Sequence, residues 1–126
     1  MNEYLLYSLA FLFGGNAYCL IELIYRSRTH YSMFFCSGIA IVILLFIYQN
    51  NKSISPLAFS LIASAVITCL ELIFGIIFNI MLREQVWDYS KTPFNILGQI
   101  CLPFSIIWFF FGFLIYYLFK NIKLLN

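Results

Sequence analysis

The sequence predicts an all-α integral membrane protein, a four-helix bundle with both termini on one side of the bilayer. Of its 126 residues, 63% are hydrophobic and only 10% are charged, whereas about a quarter of the residues of a soluble domain are charged. Four apolar runs are long enough to cross a bilayer, which takes about 20 residues. The runs are continuous in Leu, Ile and Phe rather than alternating at period two, which indicates helices.

These runs predict a single transmembrane domain over residues 1–126, with spans at roughly 4–25, 31–49, 56–82 and 94–119. The first run has no basic segment before it and ends at Glu22 and Arg26 rather than at a small-residue cleavage site. We therefore expect it to be a retained helix and not a cleaved signal peptide. Pro56 opens the third run, at a position that favours the start of a helix.

The densest polar chemistry of the chain lies in two connections, which four spans place on the same membrane face. These are residues 26–30 and residues 83–91. Trp87 and Tyr89 in the second connection suit the headgroup region, where amphipathic rings collect. This longer connection either lies flat in the interface or folds back into the bundle.

Each span also has one side that is small or polar. In the third span this side is formed by residues spaced three or four apart: Ser60, Ser64, Thr68, Glu71, Gly75 and Asn79. The first span repeats the pattern with Ser8, Gly15, Cys19, Glu22 and Arg26, with Asn16 adjacent. The second offers His30, Ser37 and Gly38, and the fourth has Asn95, Gly98, Gln99, Ser105 and Gly112. Small residues allow helices to approach closely, so the stripes are either a packing seam or the wall of a polar site.

Glu71 stands out because it lies near the middle of the bilayer. It is about 11 residues from the end of its span, or roughly 16 Å at about 1.5 Å per residue. An ionised carboxylate at that depth costs at least about 2.5 kcal/mol, so it must be protonated, paired or hydrated. Asn16 lies at a similar depth and could satisfy Glu71 by a hydrogen bond without any function. Alternatively, Glu71 binds a cation, a proton or an amine.

The two connections contain further charged candidates. Glu22 and Arg26 are four residues apart with the acid first, which favours an ion pair. Arg26, Arg28 and His30 could bind a phosphate-bearing headgroup, or simply face anionic lipid. Asp88 could pair with Arg26 or Arg28, or exchange a proton with His30. No Ser or Cys in a nucleophile context accompanies that pair, so the sequence leaves enzymatic activity undecided.

Several classes of site are not indicated. The sequence has no Walker A loop, no dinucleotide fingerprint and no basic nucleic-acid patch, so we expect no nucleic-acid partner, and a nucleotide that drives the protein would bind to another chain. The four cysteines lie inside apolar runs and form no CxxC motif, so we expect neither a metal nor another cofactor: Cys19, Cys36, Cys69 and Cys101.

Two stretches of the chain resemble a known family. The first runs from Gly14-Gly15-Asn16-Ala17-Tyr18 to Glu22 and then through residues 26–33. The second comprises residues 67–68, Glu71, Gly75 and Asn79, then Trp87-Asp88-Tyr89-Ser90, residues 93–95 and residues 98–101. Together they resemble the CmpB-like family of type IV ABC-transporter permeases, over most of the chain and all four spans. Ser27 and Tyr31 depart from the family pattern, which has Gly and Trp there.

The resemblance implies a small bacterial multi-pass protein of the cell membrane that is a transporter or permease component. Its partners would be the lipid bilayer and either a separate ATP-binding subunit or a second copy in a homodimer, because four spans make a narrow bundle. We expect a polar intramembrane site around Glu71 and Glu22 that opens at the two polar connections. Its candidate residues are Asn16, Glu22, Arg26, Arg28, His30, Glu71, Asn79, Trp87, Asp88, Tyr89, Asn95 and Gln99. The alternatives are a membrane enzyme or binding protein for a lipid or phosphate-bearing headgroup, and a structural or sensory partner without turnover.

Overall fold

Four long helices make up most of the structure, a computed structural model that describes residues 2–126. The helices are α1 (Glu3–Arg26), α2 (Tyr31–Asn50), α3 (Pro56–Phe74) and α4 (Leu102–Asn121). A π-helical segment, Gly75–Met81, extends α3. The antiparallel strands β1 (Asn95–Ile96) and β2 (Ile100–Cys101) precede α4, and a 3-10 turn, Lys123–Leu125, follows it. Each long helix is apolar enough to span a membrane, which confirms the predicted all-α membrane bundle.

Polar residues in the connections define where the helices begin. The side chain of Asn2 accepts a hydrogen bond from the Tyr4 amide at 2.7 Å and starts α1. The imidazole of His30 and the hydroxyl of Ser55 cap α2 and α3 in the same way. At its other end α1 stops at Ser27, whose φ of 60° is left-handed. That conformation favours glycine, because a Cβ atom is crowded there.

The helices pack as two pairs, α1 with α2 and α3 with α4. Small residues permit both approaches. A Cβ atom at Gly38 would lie 2.8 Å from the ring of Phe11 in α1, and one at Gly112 would lie 2.8 Å from the Cα atom of Ser60 in α3. The small sides predicted for the spans are therefore used, at these positions, as packing seams.

The main apolar core lies at the end of the bundle that holds both termini. Its buried members are Leu44, Leu45, Tyr48, Phe59, Ala63, Ile115, Tyr116, Phe119 and Leu125, and residues near the start of α1 pack against them. The C-terminal residue joins this end, since the Tyr48 hydroxyl donates to the side-chain oxygen of Asn126 at 2.6 Å. Both termini thus lie beside the α2–α3 connection, and the two polar connections lie at the opposite end.

The predicted fourth span starts too early. Residues 94–101 form the β1–β2 hairpin, and α4 begins only at Leu102, followed by Pro103 in its first turn. Phe94, Leu97 and Gly98 have positive φ angles, which a continuous helix cannot contain. The segment 82–101, called here the polar connection, folds back into the bundle and buries residues at both of its ends: Val86, Trp87, Gln99 and Cys101.

Candidate functional site

Glu71 is a buried carboxyl group in the middle of the membrane-spanning region. It is only 3% exposed and lies ten residues before Met81, roughly 15 Å from that end at about 1.5 Å per residue. The indole Nε1 of Trp108 donates to one carboxylate oxygen at 2.8 Å, and the hydroxyl of Tyr89 donates to the other at 2.8 Å. Neither of the two ion pairs found within residues 2–126 includes Glu71. The carboxyl group is therefore hydrogen-bonded but has no cationic partner in this part of the chain.

The polar connection carries Tyr89 to Glu71. Its fold is fixed by the Tyr89 amide, which donates to the Gly98 carbonyl at 2.7 Å, and by the Trp87 indole, which donates to the Gln99 carbonyl at 2.9 Å. The Tyr89 ring also stacks on Phe104 of α4, with ring centroids 4.6 Å apart. Burial raises the pKa of the Tyr89 phenol, and the nearby carboxylate raises it further, so the hydroxyl keeps its proton and acts as a donor.

The π-helical segment holds the polar connection against α3. The Asn79 side chain donates to Gln99 Oε1 at 2.7 Å and accepts from the Val86 amide at 2.7 Å. Gly75 leaves the room for this arrangement, because a Cβ atom there would lie 2.6 Å from Gln99 Oε1. Asn79 and Gln99, both predicted as site residues, thus form a hydrogen bond with each other rather than with Glu71. π-helical turns occur frequently at functional sites, and this one follows Glu71 by one helical turn.

A cavity of about 220 Å³, the central cavity, lies beside Glu71 between the two helix pairs. Among residues 2–126, Glu71 is the only Asp, Glu, Lys, Arg or His that lines this cavity. The other lining residues are mainly apolar or aromatic. Phe13 of α1 and Leu114 of α4 line it and are 58% and 62% exposed. Since few contacts join α1 to α4, the cavity opens between these two helices towards the lipid.

Glu22 forms the second buried acidic site, near the end of α1. It is 2% exposed. Arg26 Nη1 lies 2.9 Å from one carboxylate oxygen, so the expected ion pair is present. The Thr29 hydroxyl donates to the other oxygen at 2.7 Å. Both oxygens of Glu22 therefore accept hydrogen bonds from residues at the α1–α2 connection, Arg26 and Thr29.

Arg26 and Arg28 join the α1–α2 connection, residues 26–30, to the polar connection. Arg26 Nη2 donates to the Val86 carbonyl at 2.6 Å, and Arg28 Nη2 donates to the same oxygen at 2.9 Å and to the Gln85 carbonyl at 2.7 Å. His30 Nε2 lies 3.0 Å from a carboxylate oxygen of Glu84. We call this set of contacts, together with those of Glu22, the turn cluster. It surrounds a polar cavity of about 80 Å³ that shares no lining residue with the central cavity.

Two pairings that the sequence allows for Asp88 are absent from the ion pairs found within residues 2–126. His30 faces Glu84 rather than Asp88. Neither ion pair within residues 2–126 links Asp88 to Arg26 or Arg28. Asp88 is exposed and accepts from the Ser90 amide at 2.8 Å, which holds the pKa of its carboxyl group below the ordinary value. The Asp88 carboxylate therefore accepts a hydrogen bond within its own turn. Arg26 and Arg28 donate to backbone carbonyls instead.

The hydrogen bond that could join Asn16 to Glu71 does not form, because both side chains have other partners. Asn16 is exposed, and its side-chain amide donates to the Leu12 carbonyl one turn earlier at 2.8 Å. Gly15, its neighbour, faces α2, and successive helix positions are separated by about 100°. Asn16 therefore lies on the outer side of α1. The side chain of Asn95 also forms a local hydrogen bond, since it accepts from the Gly98 amide within the hairpin.

Trp108 is a site residue that the sequence did not predict. It lies within the Phe-rich run of α4, where it looks like one more lipid-facing aromatic. Its indole N–H offers a signal, because a buried tryptophan usually donates a hydrogen bond. Glu71 at mid-membrane was an available acceptor. Near it, Ser64 and Thr68 of α3 bond to Ser105 of α4 at 2.6 and 2.7 Å, which fixes the two helices beside the carboxyl group.

Comparison with known proteins identifies the family. The family model described as "Putative ABC-transporter type IV" matches residues 4–124. The search of curated proteins and the search of solved structures each returned no match. The family match extends over all four helices and both polar connections, and it agrees with the resemblance found in the sequence. The chain therefore belongs to the ABC-transporter type IV family that this model describes.

Proposed function

We propose that this multi-pass membrane protein is the membrane-embedded component of an ABC transporter in the cell membrane, with Glu71 and the central cavity as its substrate site. A separate subunit would bind and hydrolyse ATP. The observation that carries the proposal is the placement of Glu71, a buried mid-membrane carboxyl group without a cationic partner that borders a cavity open to lipid. Ionisable side chains inside the membrane commonly mark substrate or ion pathways.

In this proposal most of the other candidate residues support the site. Glu22, Arg26, Arg28 and His30 belong to the turn cluster, which shares no lining residue with the central cavity. They would close one end of the bundle and hold the polar connection. Asn79, Trp87 and Gln99 would then fix Tyr89 against Glu71. A second copy of the chain would widen the path, because four helices enclose little space.

Transport can be tested before the substrate is identified. Membrane vesicles of both orientations would be prepared from host cells that lack the chain and from cells that express the wild type. They would be incubated with cell extract and ATP, and their contents compared by mass spectrometry. We expect at least one compound to accumulate only with the wild-type chain and ATP.

Substitution at Glu71 tests the site itself. Glu71→Gln removes the charge but keeps the shape, and we expect it to reduce the ATP-dependent accumulation at least about tenfold, which corresponds to roughly 1.4 kcal/mol. Glu3→Gln, an exposed position in the first turn of α1, is the matched control and should accumulate the compound like the wild type. If no compound depended on the chain, transport would be the wrong function. If Glu71→Gln accumulated it normally, the site would be wrong.

A further inference from the structure

We propose that the central cavity takes a small organic cation with an apolar body, such as a tertiary or quaternary ammonium compound, and that this ligand enters from the lipid between α1 and α4. The inference rests on the proposed function, because it names the substrate class of the site at Glu71. Three features of the cavity carry it: its charge, its aromatic rings and its opening.

The charge of the cavity favours a cation. Each oxygen of Glu71 accepts one hydrogen bond, whereas a carboxylate offers about four acceptor positions. The lining contains no Lys, Arg or His from residues 2–126. A buried carboxylate without a counter-charge is costly, and a bound cation would offset that cost. An anion would instead be repelled.

Aromatic rings border the same carboxylate. Trp108 and Tyr18 both line the cavity, and their ring centroids lie 6.3 Å apart with the planes inclined at 60°. Cations bind over aromatic faces, most strongly over tryptophan, and aromatic cages recognise quaternary ammonium groups in this way. Glu71 and Trp108 are fixed to each other by their hydrogen bond. The carboxylate and the indole would therefore both act on one ammonium group.

The size and opening of the cavity define the rest of the ligand. An apolar cavity of about 150 Å³ can hold benzene, so the 220 Å³ here leaves room for one ring and an ammonium group. The exposed lining residues Phe13 and Leu114 place the opening on the lipid side. A ligand must then be apolar enough to reach the site through the bilayer, and any longer alkyl chain can remain in the lipid.

Two compounds of the same shape but different charge distinguish the effect of ligand charge on binding from the effect of ligand shape. Benzyltrimethylammonium is the cation, and neopentylbenzene, in which carbon replaces nitrogen, is its neutral counterpart. Binding of tritiated benzyltrimethylammonium would be measured on the purified full-length protein in lipid nanodiscs, with empty nanodiscs as background. We expect saturable binding to the wild type and to Glu3→Gln. Unlabelled neopentylbenzene should compete at least tenfold less well than the unlabelled cation.

Two substitutions test the location of binding. Glu71→Gln should weaken binding of the cation at least tenfold. Ala17→Phe, which places a ring in the cavity from α1 and keeps Glu71, should also abolish binding. Since the competition between the two compounds needs only the wild type, the test stands even if either variant fails to fold.

The outcomes distinguish the ligand class from the site. Equal competition by neopentylbenzene, with binding still blocked by Ala17→Phe, would overturn the cationic class and leave the cavity as the substrate site. Unchanged binding to Glu71→Gln would overturn the role of its charge. Absence of binding to the wild type would overturn this ligand class, whereas the vesicle experiment decides separately whether the chain transports anything.

Discussion

The hydroxyl oxygen of Tyr89 lies 2.8 Å from a carboxylate oxygen of Glu71, although the two residues are 18 positions apart. This bond joins the polar connection at the end of the bundle to the middle of the membrane. The two oxygens of the Glu71 carboxyl group thus accept hydrogen bonds from different elements, one from Tyr89 of the polar connection and one from Trp108 of α4.

Removal of the Tyr89 hydroxyl should destabilise the protein. In Tyr89→Phe the buried Glu71 loses one of its two donors, and an unsatisfied buried group costs about 1–3 kcal/mol. The free energy of unfolding, measured by SDS titration in mixed micelles, should fall by that amount. Tyr25→Phe is the control, because Tyr25 is 64% exposed and should change the value by less than about 0.5 kcal/mol. Equal effects of the two variants would show that the Tyr89–Glu71 bond contributes nothing.

Gly75→Ala tests how the polar connection is held against the π-helical segment. The new Cβ atom would lie 2.6 Å from Gln99 Oε1 and 2.9 Å from Gln99 Cβ. Overpacking of this kind costs about 1–3 kcal/mol. The same substitution in a Gln99→Gly background removes the crowded atoms, so it should cost at least about 1 kcal/mol less there. Additive effects in this double-mutant cycle would rule out the contact as the cause.

Glu22→Ala should be among the most destabilising substitutions outside the core. It leaves Arg26 and Thr29 without the carboxylate that both contact, and the loss of one partner of a buried ion pair costs about 3–5 kcal/mol. We expect the lower end, about 3 kcal/mol, because Arg26 is 25% exposed. Glu3→Ala removes an exposed carboxylate from the first turn of the same helix and should cost less than about 1 kcal/mol. A thermal unfolding series in detergent would compare the two variants, and similar midpoints would contradict the role of Glu22.

Ser27→Gly should stabilise the protein. Ser27 ends α1 with a φ of 60°, which is strained for a residue with a Cβ atom. Glycine relieves this strain but also gives the unfolded chain more freedom, so we expect a net gain of up to about 1 kcal/mol in the free energy of unfolding. Ser53→Gly, in the α2–α3 connection at a position without positive φ, should give no gain.

Asp88 should make a pH-dependent contribution to stability. Its folded pKa is lowered, chiefly by the hydrogen bond from the Ser90 amide. The contribution is therefore complete above the unfolded pKa, about 3.9, and is lost as the pH falls through the lower folded pKa. Asp88→Asn should be slightly less stable than the wild type at neutral pH and equal to it in strong acid. Thermal midpoints of the two proteins across this range would show it, and a difference that did not change with pH would contradict it.

The sequence predicted the helices better than the connections. Long apolar runs determine the spans, and the depth of Glu71 follows from counting residues along α3. The sequence predicts residues 94–101 as part of the fourth span because Phe94, Ile96, Leu97 and Ile100 continue its apolar run. The hairpin that these residues form depends on pairing between strands and on positive φ angles. Amino-acid composition predicts both of these features only weakly.

The partners of the charged residues were harder to predict for a physical reason. Arg26 and Arg28 donate to the carbonyls of Gln85 and Val86, and a backbone carbonyl has no side-chain signature. Side-chain pairing alone suggested Asp88 instead. The sequence does not predict the role of Trp108, because its hydrogen bond to Glu71 joins residues on different helices. Only the rotation of α4 about its axis decides whether the two side chains meet.

The depth of Glu71 also has a consequence for biosynthesis. A carboxylate at the centre of a nascent helix opposes its transfer from the translocon into lipid by about 2.5–3.5 kcal/mol. The span that carries Glu71, Pro56–Met81, is also the longest of the four and has the highest mean hydropathy. Its surplus of apolar residues offsets that cost before Tyr89 and Trp108 have packed against Glu71. The hydrophobicity of this helix is thus what permits a carboxyl group to be delivered to mid-membrane at all.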